Sequence, residues 1–271
     1  NRSYLLWIPA SYNPASKTYY PFILSYHGAA ASSCNQAQLD QLASPFFNKN
    51  HLVAYPQGIN SVWQGAPDVD SDDIGFTTAV IDNIQANYWI DEKRIFATGK
   101  SQGGGMAGIL ACDPKLSVRI AAFAPIAGAH YQHNSTVSSS GNKICNGKSV
   151  VTQCNPGRKQ VPILQIHGGA DDVIAYTGGA RRGKCLPTIP HYVKTWAGFN
   201  GLAAQNVSKA LTSQAKVYQF GTGANQGLVT HVYAGDRVGH SWMATIGNND
   251  NGINGDGPAS FNASSVIMDF F

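Results

Sequence analysis

Short apolar runs of strand length recur along the chain and alternate with segments of helical periodicity, and this alternation constrains the fold more than any other feature. The runs are almost continuously apolar, which is typical of strands covered on both faces. The strand-like runs lie at 4–8, 22–26, 52–55, 94–97, 120–126, 163–166, 217–220 and 228–233, and the helical segments lie at 74–88, 103–111, 190–199 and 259–270. Alternating strands and helices predict an α/β fold with a mostly parallel sheet that helices cover on both faces.

The length of 271 residues and the hydrophobic content of 43% are sufficient for one substantial core. A single domain over residues 1–271 is therefore expected. The segment 131–159 is rich in Ser, Asn and Gly, and because it is too polar for an amphipathic lid we interpret it as an insertion loop. No apolar run reaches the ~18 residues of a membrane span, so no membrane association is expected.

Charged residues make up only 13% of the chain, and Glu92 is the one glutamate among 15 acidic residues. A mechanism that needs a glutamate pair, an H-E-x-x-H zinc helix or an EF-hand lacks its residues here. The 19 lysines and arginines are scattered, with no basic run longer than Arg181-Arg182. A nucleic-acid partner is therefore not expected.

Four N-x-S/T sequons and five cysteines favour a secreted, extracellular glycoprotein. The sequons start at Asn1, Asn134, Asn206 and Asn262. The first residue is not Met, as expected for a mature product whose targeting segment has been removed.

The five cysteines show no C-x-x-C spacing, so a structural zinc site is not expected. Since the number is odd, at least one thiol is left over. Cys112 ends an apolar helical stretch and is the candidate for a buried free thiol. Cys145 and Cys154 bracket a short polar loop and are the candidates for a disulfide.

The motif Gly99-x-Ser101-x-Gly103 lies between the strand at 94–97 and the helix at 103–111. On such a sharp strand-to-helix turn, the residues two positions before and after the serine are crowded together, so only small residues fit at those two positions. The turn exposes the hydroxyl at a helix N-terminus, where developing negative charge is favoured. The alternative, a glycine-rich helix start with a capping serine, would not require small residues on both sides. Ser101 is therefore predicted to be a catalytic nucleophile.

A serine nucleophile needs a base and an acid that orients the base. Two aspartates follow the strand at 163–166, and we favour Asp171 as the acid with Asp172 as the alternative. His240 follows the strand at 228–233 and is the predicted base. The order Ser, Asp, His is that of the α/β-hydrolase fold. The other candidate histidines are expected to be structural: His231 in a strand, His191 in a helix, and His167 in the loop that it holds together.

Acyl transfer also needs hydrogen-bond donors aimed at the oxyanion. One should be the backbone N–H of Gln102, the residue after the nucleophile. The loop after the strand at 22–26 should supply the other, and Ala29 is the predicted donor; an ordinary tight turn of small residues is the alternative.

With these residues in view, the chain resembles carbohydrate esterase family 1, and within it the secreted fungal feruloyl esterases. The matching blocks are Trp63-Gln64-Gly65-Ala66-Pro67, Asp72-Asp73-Ile74-Gly75-Phe76, Asp91 to Met106, Ala124 to Gly128, His167 to Tyr176, and Gly239-His240-Ser241-Trp242. The wider group resembled also includes acetylxylan esterases and polyhydroxyalkanoate depolymerases. The segment 131–159 is not part of the pattern.

The resemblance implies hydrolysis of feruloyl or other hydroxycinnamoyl esters on plant cell-wall polysaccharide or oligosaccharide, with no metal or organic cofactor. An acetylxylan esterase is the alternative within the family, and a catalytically dead sugar-binding module is the alternative outside it. An intact Ser101, Asp171 and His240 argues against a dead module. Trp63 and Trp242 are candidates for lining an aromatic acyl site.

Overall fold

A nine-stranded sheet forms the centre of the computed structural model, which describes residues 2–132, 136–137, 143–254 and 257–271. The strands are β1 (Tyr4–Trp7), β2 (Tyr20–Tyr26), β3 (Leu52–Pro56), β4 (Ile90–Lys100), β5 (Ala122–Ile126), β6 (Thr136–Val137), β7 (Lys143–Ile144), β8 (Ile163–His167), β9 (Gly179–Arg181), β10 (Lys184–Leu186), β11 (Asn206–Ala210), β12 (Lys216–Phe220) and β13 (Val229–Tyr233). The helices are α1 (Ser33–Asp40), α2 (Asp73–Asn87), α3 (Gln102–Cys112), α4 (Leu116–Arg119), α5 (Ile189–Phe199), α6 (Asn249–Asn254) and α7 (Ala263–Phe270).

The sheet has the strand order β1-β3-β2-β4-β5-β8-β13-β12-β11. Its central strands, from β3 to β13 in that order, pair in parallel, whereas the edge strands β1, β12 and β11 pair antiparallel. The loops that follow β2, β4, β8 and β13 therefore leave the same edge of the sheet. These are the loops that carry the predicted functional residues.

Both faces of the sheet are buried, which explains the continuous apolar runs. Phe22 and Leu24 point into a core with α2, α3 and α5, whereas Ile23 between them packs on the opposite face, where α1 and α7 lie. The predicted α/β fold, with a mostly parallel sheet between two helical layers, is confirmed.

The disulfides differ from the expected pairing. Cys112 pairs with Cys154, Cys145 pairs with Cys185, and Cys34 is an exposed thiol. The predictions that Cys112 is a buried free thiol and that Cys145 pairs with Cys154 are therefore wrong. The reason is that the end of α3 lies beside the segment after residue 150, a proximity that spacing along the chain does not reveal.

The polar segment 131–159 lies only partly within the described residues, since 133–135 and 138–142 fall outside them. Its described parts include the short β6–β7 pair, Cys145, which is bonded to Cys185, and Cys154, which is bonded to Cys112. Of the sequons, Asn1 and Asn134 lie outside the described residues, Asn206 is exposed on β11, and Asn262 begins α7 as its N-cap. Within the described ranges, no helix is both long and apolar enough to cross a membrane.

Candidate active site

Ser101 occupies the sharp turn between β4 and α3. Its backbone has φ 58° and ψ −118°, a strained conformation for a residue other than glycine. The surrounding backbone holds this strain, because the Ser101 N–H donates to the Ile126 carbonyl and the Ala129 N–H donates to the Ser101 carbonyl, both at 2.9 Å. The side chain lies at the N-terminal end of α3, as the motif predicted.

The glycines of the motif are required by close backbone packing. A Cβ atom on Gly99 would lie 2.6 Å from the Tyr26 carbonyl oxygen, and one on Gly103 would lie 2.6 Å from the His27 carbonyl oxygen. Both distances are shorter than real Cβ contacts. The turn at Ser101 can therefore form against β2 only with glycine at these two positions.

Asp171 and His240 form a buried hydrogen-bonded pair. The His240 Nδ1 atom lies 2.8 Å from Asp171 Oδ2, and the residues are 6% and 4% exposed. The other oxygen, Asp171 Oδ1, accepts the backbone N–H groups of Val173 and Ile174 at 3.0 and 2.7 Å. These contacts fix the carboxylate so that it orients the imidazole. The alternative acid, Asp172, is exposed.

His167 ends β8 and holds the Asp171 loop together, as predicted. Its Nε2 atom lies 2.7 Å from the Ile174 carbonyl oxygen and 3.1 Å from Asp171 Oδ2. The structural positions expected for His231 and His191 are also confirmed. His231 is buried in β13, where its Nδ1 faces the Gln165 carbonyl at 2.9 Å, and His191 in α5 faces the Val150 carbonyl at 2.9 Å.

The pKa values of the pair move in the directions that base catalysis requires. Burial raises the pKa of Asp171, but hydrogen bonds from His167 and His240 outweigh burial and hold it well below its usual range. Burial lowers the pKa of His240, opposed by the Asp171 hydrogen bond and reinforced by the positive charge of Lys100. The site thus favours an ionised Asp171 beside a neutral His240 at neutral pH.

The loop after β2 lies directly against Ser101. A Cβ atom on Gly28 would be in ordinary contact with Ser101 Cβ, at 3.5 Å. Ala29, the predicted second oxyanion donor, follows Gly28 in an exposed turn that the Ala31 N–H closes onto the Gly28 carbonyl at 3.3 Å. Gln102 is the first residue of α3, and a first-turn N–H has no acceptor within the helix.

Two side chains hold this loop in a way that the sequence did not predict. His27 Nδ1 donates to the Gly28 carbonyl at 2.7 Å, because its Nε2 accepts the Gly58 N–H at 3.0 Å. The Trp63 indole N–H donates to the His27 carbonyl at 2.8 Å. A His-Gly pair at a strand end and a nearby tryptophan were visible in the sequence, but their contact was not.

A cavity of about 490 Å³ begins at Gln102 and follows α3. Its walls come from α3, the loop before α2, and residues 129–132 and 152–153, and they include Ala66, Val69, Ile74, Ile109 and Tyr131 alongside Gln64, Gln132 and Thr152. The structure does not bring the two candidate tryptophans to this cavity. Trp63 is fully buried in the core, and Trp242 is 1% exposed with its indole N–H donating to Ser264 Oγ. Both side chains are buried away from this cavity, so their assignment to an acyl site stays a prediction that this cavity does not support.

Comparisons with known proteins identify relatives among fungal esterases, although no family model matches the sequence. Feruloyl esterase B of Piromyces equi is 29% identical over 209 residues, which are 73% of this chain and 36% of the relative. A probable feruloyl esterase C of Aspergillus oryzae is 24% identical over 76% of this chain and 68% of its own length. A bifunctional acetylxylan esterase/xylanase of Neocallimastix patriciarum is 27% identical over 63% of this chain and 22% of its own length. The chain thus spans about a third of Feruloyl esterase B.

Among solved structures, an acetyl xylan esterase from Aspergillus awamori has the same fold. It superimposes with a TM-score of 0.61 over 89% of both chains at 16% sequence identity. The chain therefore has the α/β-hydrolase fold. By sequence, the chain is similar to the feruloyl esterases of these fungi.

Proposed function

We propose that the chain is a secreted serine esterase that hydrolyses feruloyl and related hydroxycinnamoyl esters of plant cell-wall arabinoxylan. One observation carries the proposal: the buried Asp171–His240 pair, with 2.8 Å between Nδ1 and Oδ2, stands at the sheet edge from which the strained Ser101 turn also leaves. The names of the sequence relatives support the substrate. The two disulfides support secretion.

In the proposed reaction, Ser101 Oγ attacks the ester carbonyl carbon while His240 Nε2 takes its proton. The backbone N–H groups of Gln102 and Ala29 would hold the negative oxygen of the tetrahedral intermediate. His240 then returns the proton to the sugar oxygen, which leaves as the alcohol. Water, activated by the same histidine, attacks the acyl-enzyme and releases the hydroxycinnamate. Asp171 fixes the imidazole tautomer throughout, and no step needs a metal or an organic cofactor.

The cavity beside Gln102 supports a large acyl group. A volume of about 490 Å³ lies within the range of ligand pockets and far exceeds what an acetyl group fills. Its mixed lining suits a ring that carries both an apolar face and hydroxyl or methoxy groups. We therefore propose that the hydroxycinnamoyl ring binds here, along α3, instead of against Trp63 or Trp242.

Acetylxylan esterase activity is the second candidate. It is favoured by the relative from Neocallimastix patriciarum, whose name includes that activity, and by the fold shared with the Aspergillus awamori acetyl xylan esterase. Both activities would use the same nucleophile and base. They differ only in what occupies the acyl cavity.

Purified protein should be assayed in parallel on methyl ferulate, methyl p-coumarate and acetylated xylan. We expect kcat/KM to be highest for a hydroxycinnamoyl ester, because burying an aromatic ring of that size is worth roughly 2–3 kcal/mol. As a test of the cavity, Ile109→Trp should lower kcat/KM for methyl ferulate much more than for a short acetyl ester. A higher kcat/KM on acetylated xylan would replace the feruloyl proposal with the acetyl one.

A further inference from the structure

Lys100, the residue just before Ser101, forms a sheltered ion pair with Asp250 of α6. Lys100 Nζ lies 3.0 Å from Asp250 Oδ2, and the two side chains are only 11% and 16% exposed. The pair therefore joins the end of β4 to a helix that lies after the His240 loop in the chain. Exposed surface pairs contribute little, but a sheltered pair with a second hydrogen bond can fix a loop.

That second hydrogen bond reaches the His240 loop itself. The same oxygen, Asp250 Oδ2, accepts the backbone N–H of Trp242 at 2.9 Å. Trp242 lies two residues after His240, so one carboxylate oxygen connects the nucleophile turn with the loop that carries the predicted base.

The lysine stem also lies close to the loop that carries Ala29, the predicted second oxyanion donor. A Cβ atom on Gly28 would lie 3.7 Å from Lys100 Cδ and 3.6 Å from the Lys100 carbonyl oxygen. Lys100 thus lies beside the loop before Ala29, directly precedes Ser101 in the chain, and pairs with the carboxylate that holds the His240 loop.

We propose that Lys100 and Asp250 are a positioning pair, which holds the His240 loop in register with the Ser101 turn. Neither residue belongs to the predicted set of Ser101, Asp171 and His240, and the role of the pair rests on the proposed esterase function. It acts by fixing where the imidazole stands relative to the nucleophile, a placement to which rates of this kind of reaction are sensitive.

The charges of Lys100 and Asp250 should shift the pKa of His240 in opposite directions, which can be measured. The charged or titratable groups of the described residues that act on the pKa of His240 include His167 at the end of β8, Asp171 in the loop after it, and Lys100 at the end of β4. Lys100 disfavours the imidazolium form and so lowers the pKa of His240, after the larger effect of burial. Asp250 neutralises part of that effect through its ion pair with Lys100.

The test is the pH profile of kcat/KM on methyl ferulate, whose acidic limb reports the base of the free enzyme. Lys100→Met leaves Asp250 as an uncompensated negative charge, so the limb should move to higher pH. Asp250→Asn leaves Lys100 as an uncompensated positive charge, so the limb should move to lower pH. We expect shifts of about half a pH unit in each direction and losses of about tenfold in kcat at the optimum.

Three further variants separate positioning from general damage. Lys100→Arg keeps the charge and should keep the limb near that of the wild type. The double variant Lys100→Met/Asp250→Asn should bring the limb back while the loss in kcat remains. Arg119→Met removes another ion pair, the more exposed one between α4 and Asp82 of α2, and should change neither property.

Active single variants whose limbs do not move, or move in the same direction, would overturn the positioning pair. A matching fall in melting temperature for Asp250→Asn and Arg119→Met, with unchanged kcat, would also assign the pair a purely structural role. If the wild type hydrolyses no ester, the proposed function fails instead, so the two failures are distinguishable.

Discussion

Asp171 and Asp40 are both buried carboxylates, at 4% and 0% exposure, yet their pKa values move in opposite directions. Burial raises the pKa of Asp40 to about 6 because all of its side-chain partners are neutral. Its oxygens accept hydrogen bonds from Ser25, Gln36, Tyr55 and the Leu42 N–H. Burial also raises the pKa of Asp171, but hydrogen bonds from two histidines lower it by more, so the net shift is downward.

The difference shows what distinguishes a candidate catalytic carboxylate from a structural one in this fold. Neutral donors reduce the cost of burying a carboxylate without removing it, whereas partners that can carry positive charge keep the carboxylate ionised. Asp40 connects β2, α1 and β3 in the helical layer of α1 and α7. Asp171 orients an imidazole at the edge of the sheet.

Asp171→Asn should have the largest effect that separates the two carboxylates. An amide in place of the carboxylate can hold His240 in the wrong tautomer, so kcat on methyl ferulate should fall by up to ~10⁴-fold. Asp40→Asn, measured per folded molecule, should leave kcat within a fewfold of the wild type. Comparable kcat losses in both variants would contradict a catalytic role for Asp171 and a structural role for Asp40.

The pH dependence of stability should separate them next. For Asp40, the pKa in the folded state is about 6, above the ordinary value of 3.8, so the folded state binds the proton more tightly. Stability from this group is thus fully present below pH 3.8 and is lost as pH rises toward 6, by about 3 kcal/mol. The free energy of unfolding should be measured in urea from pH 3.5 to 7 for the wild type and Asp40→Asn. As pH rises through this window, the wild type should lose stability relative to Asp40→Asn, which has no carboxyl group to titrate at this position.

Asp171 should show the opposite sign in a more acidic window. Because its folded-state pKa is depressed, its stabilising contribution is present above its ordinary pKa near 4 and is lost as pH falls below it. A urea series extended to pH values well below 3.5 should show a weaker loss of stability on acidification for Asp171→Asn than for the wild type. A steeper loss in the variant would mean that the carboxylate is not held ionised by its histidines.

Asp172→Asn should have the smallest effect. The side chain is exposed, so stability should change by less than about 0.5 kcal/mol and kcat should stay close to that of the wild type. A large kcat loss in Asp172→Asn with a small one in Asp171→Asn would assign the role of the acid to Asp172 instead.

The parallel core of the fold could be predicted because its strands are buried on both faces and therefore read as continuous apolar runs. Elements without an apolar stripe were missed. The helix α1 has a polar sequence and starts from a Ser32–Asn35 capping box, and the edge strand β11 is exposed along its whole length.

The Ser101 turn could be predicted because such a tight turn leaves no room for a side chain at the positions two residues before and after the serine, and both are glycine. The choice of Asp171 came from comparison with other hydrolases of this fold, and the structure places that residue on His240. Features that depend on distant residues could not be predicted, as the Cys112–Cys154 disulfide and the Lys100–Asp250 pair show. The burial of Trp63 and Trp242 was equally hidden, since an aromatic residue near a motif packs into the core as readily as into a pocket.

The role of Ser101 as the nucleophile can be tested by intact-mass spectrometry of the acyl-enzyme. The protein is mixed with a p-nitrophenyl hydroxycinnamate, quenched in acid at millisecond times, and digested to locate the adduct, with Ser101→Ala as the control. If Ser101 is the nucleophile, we expect one hydroxycinnamoyl group per chain, on the peptide containing Ser101, and neither adduct nor turnover in Ser101→Ala. An adduct on another residue, or turnover by Ser101→Ala close to that of the wild type, would contradict it.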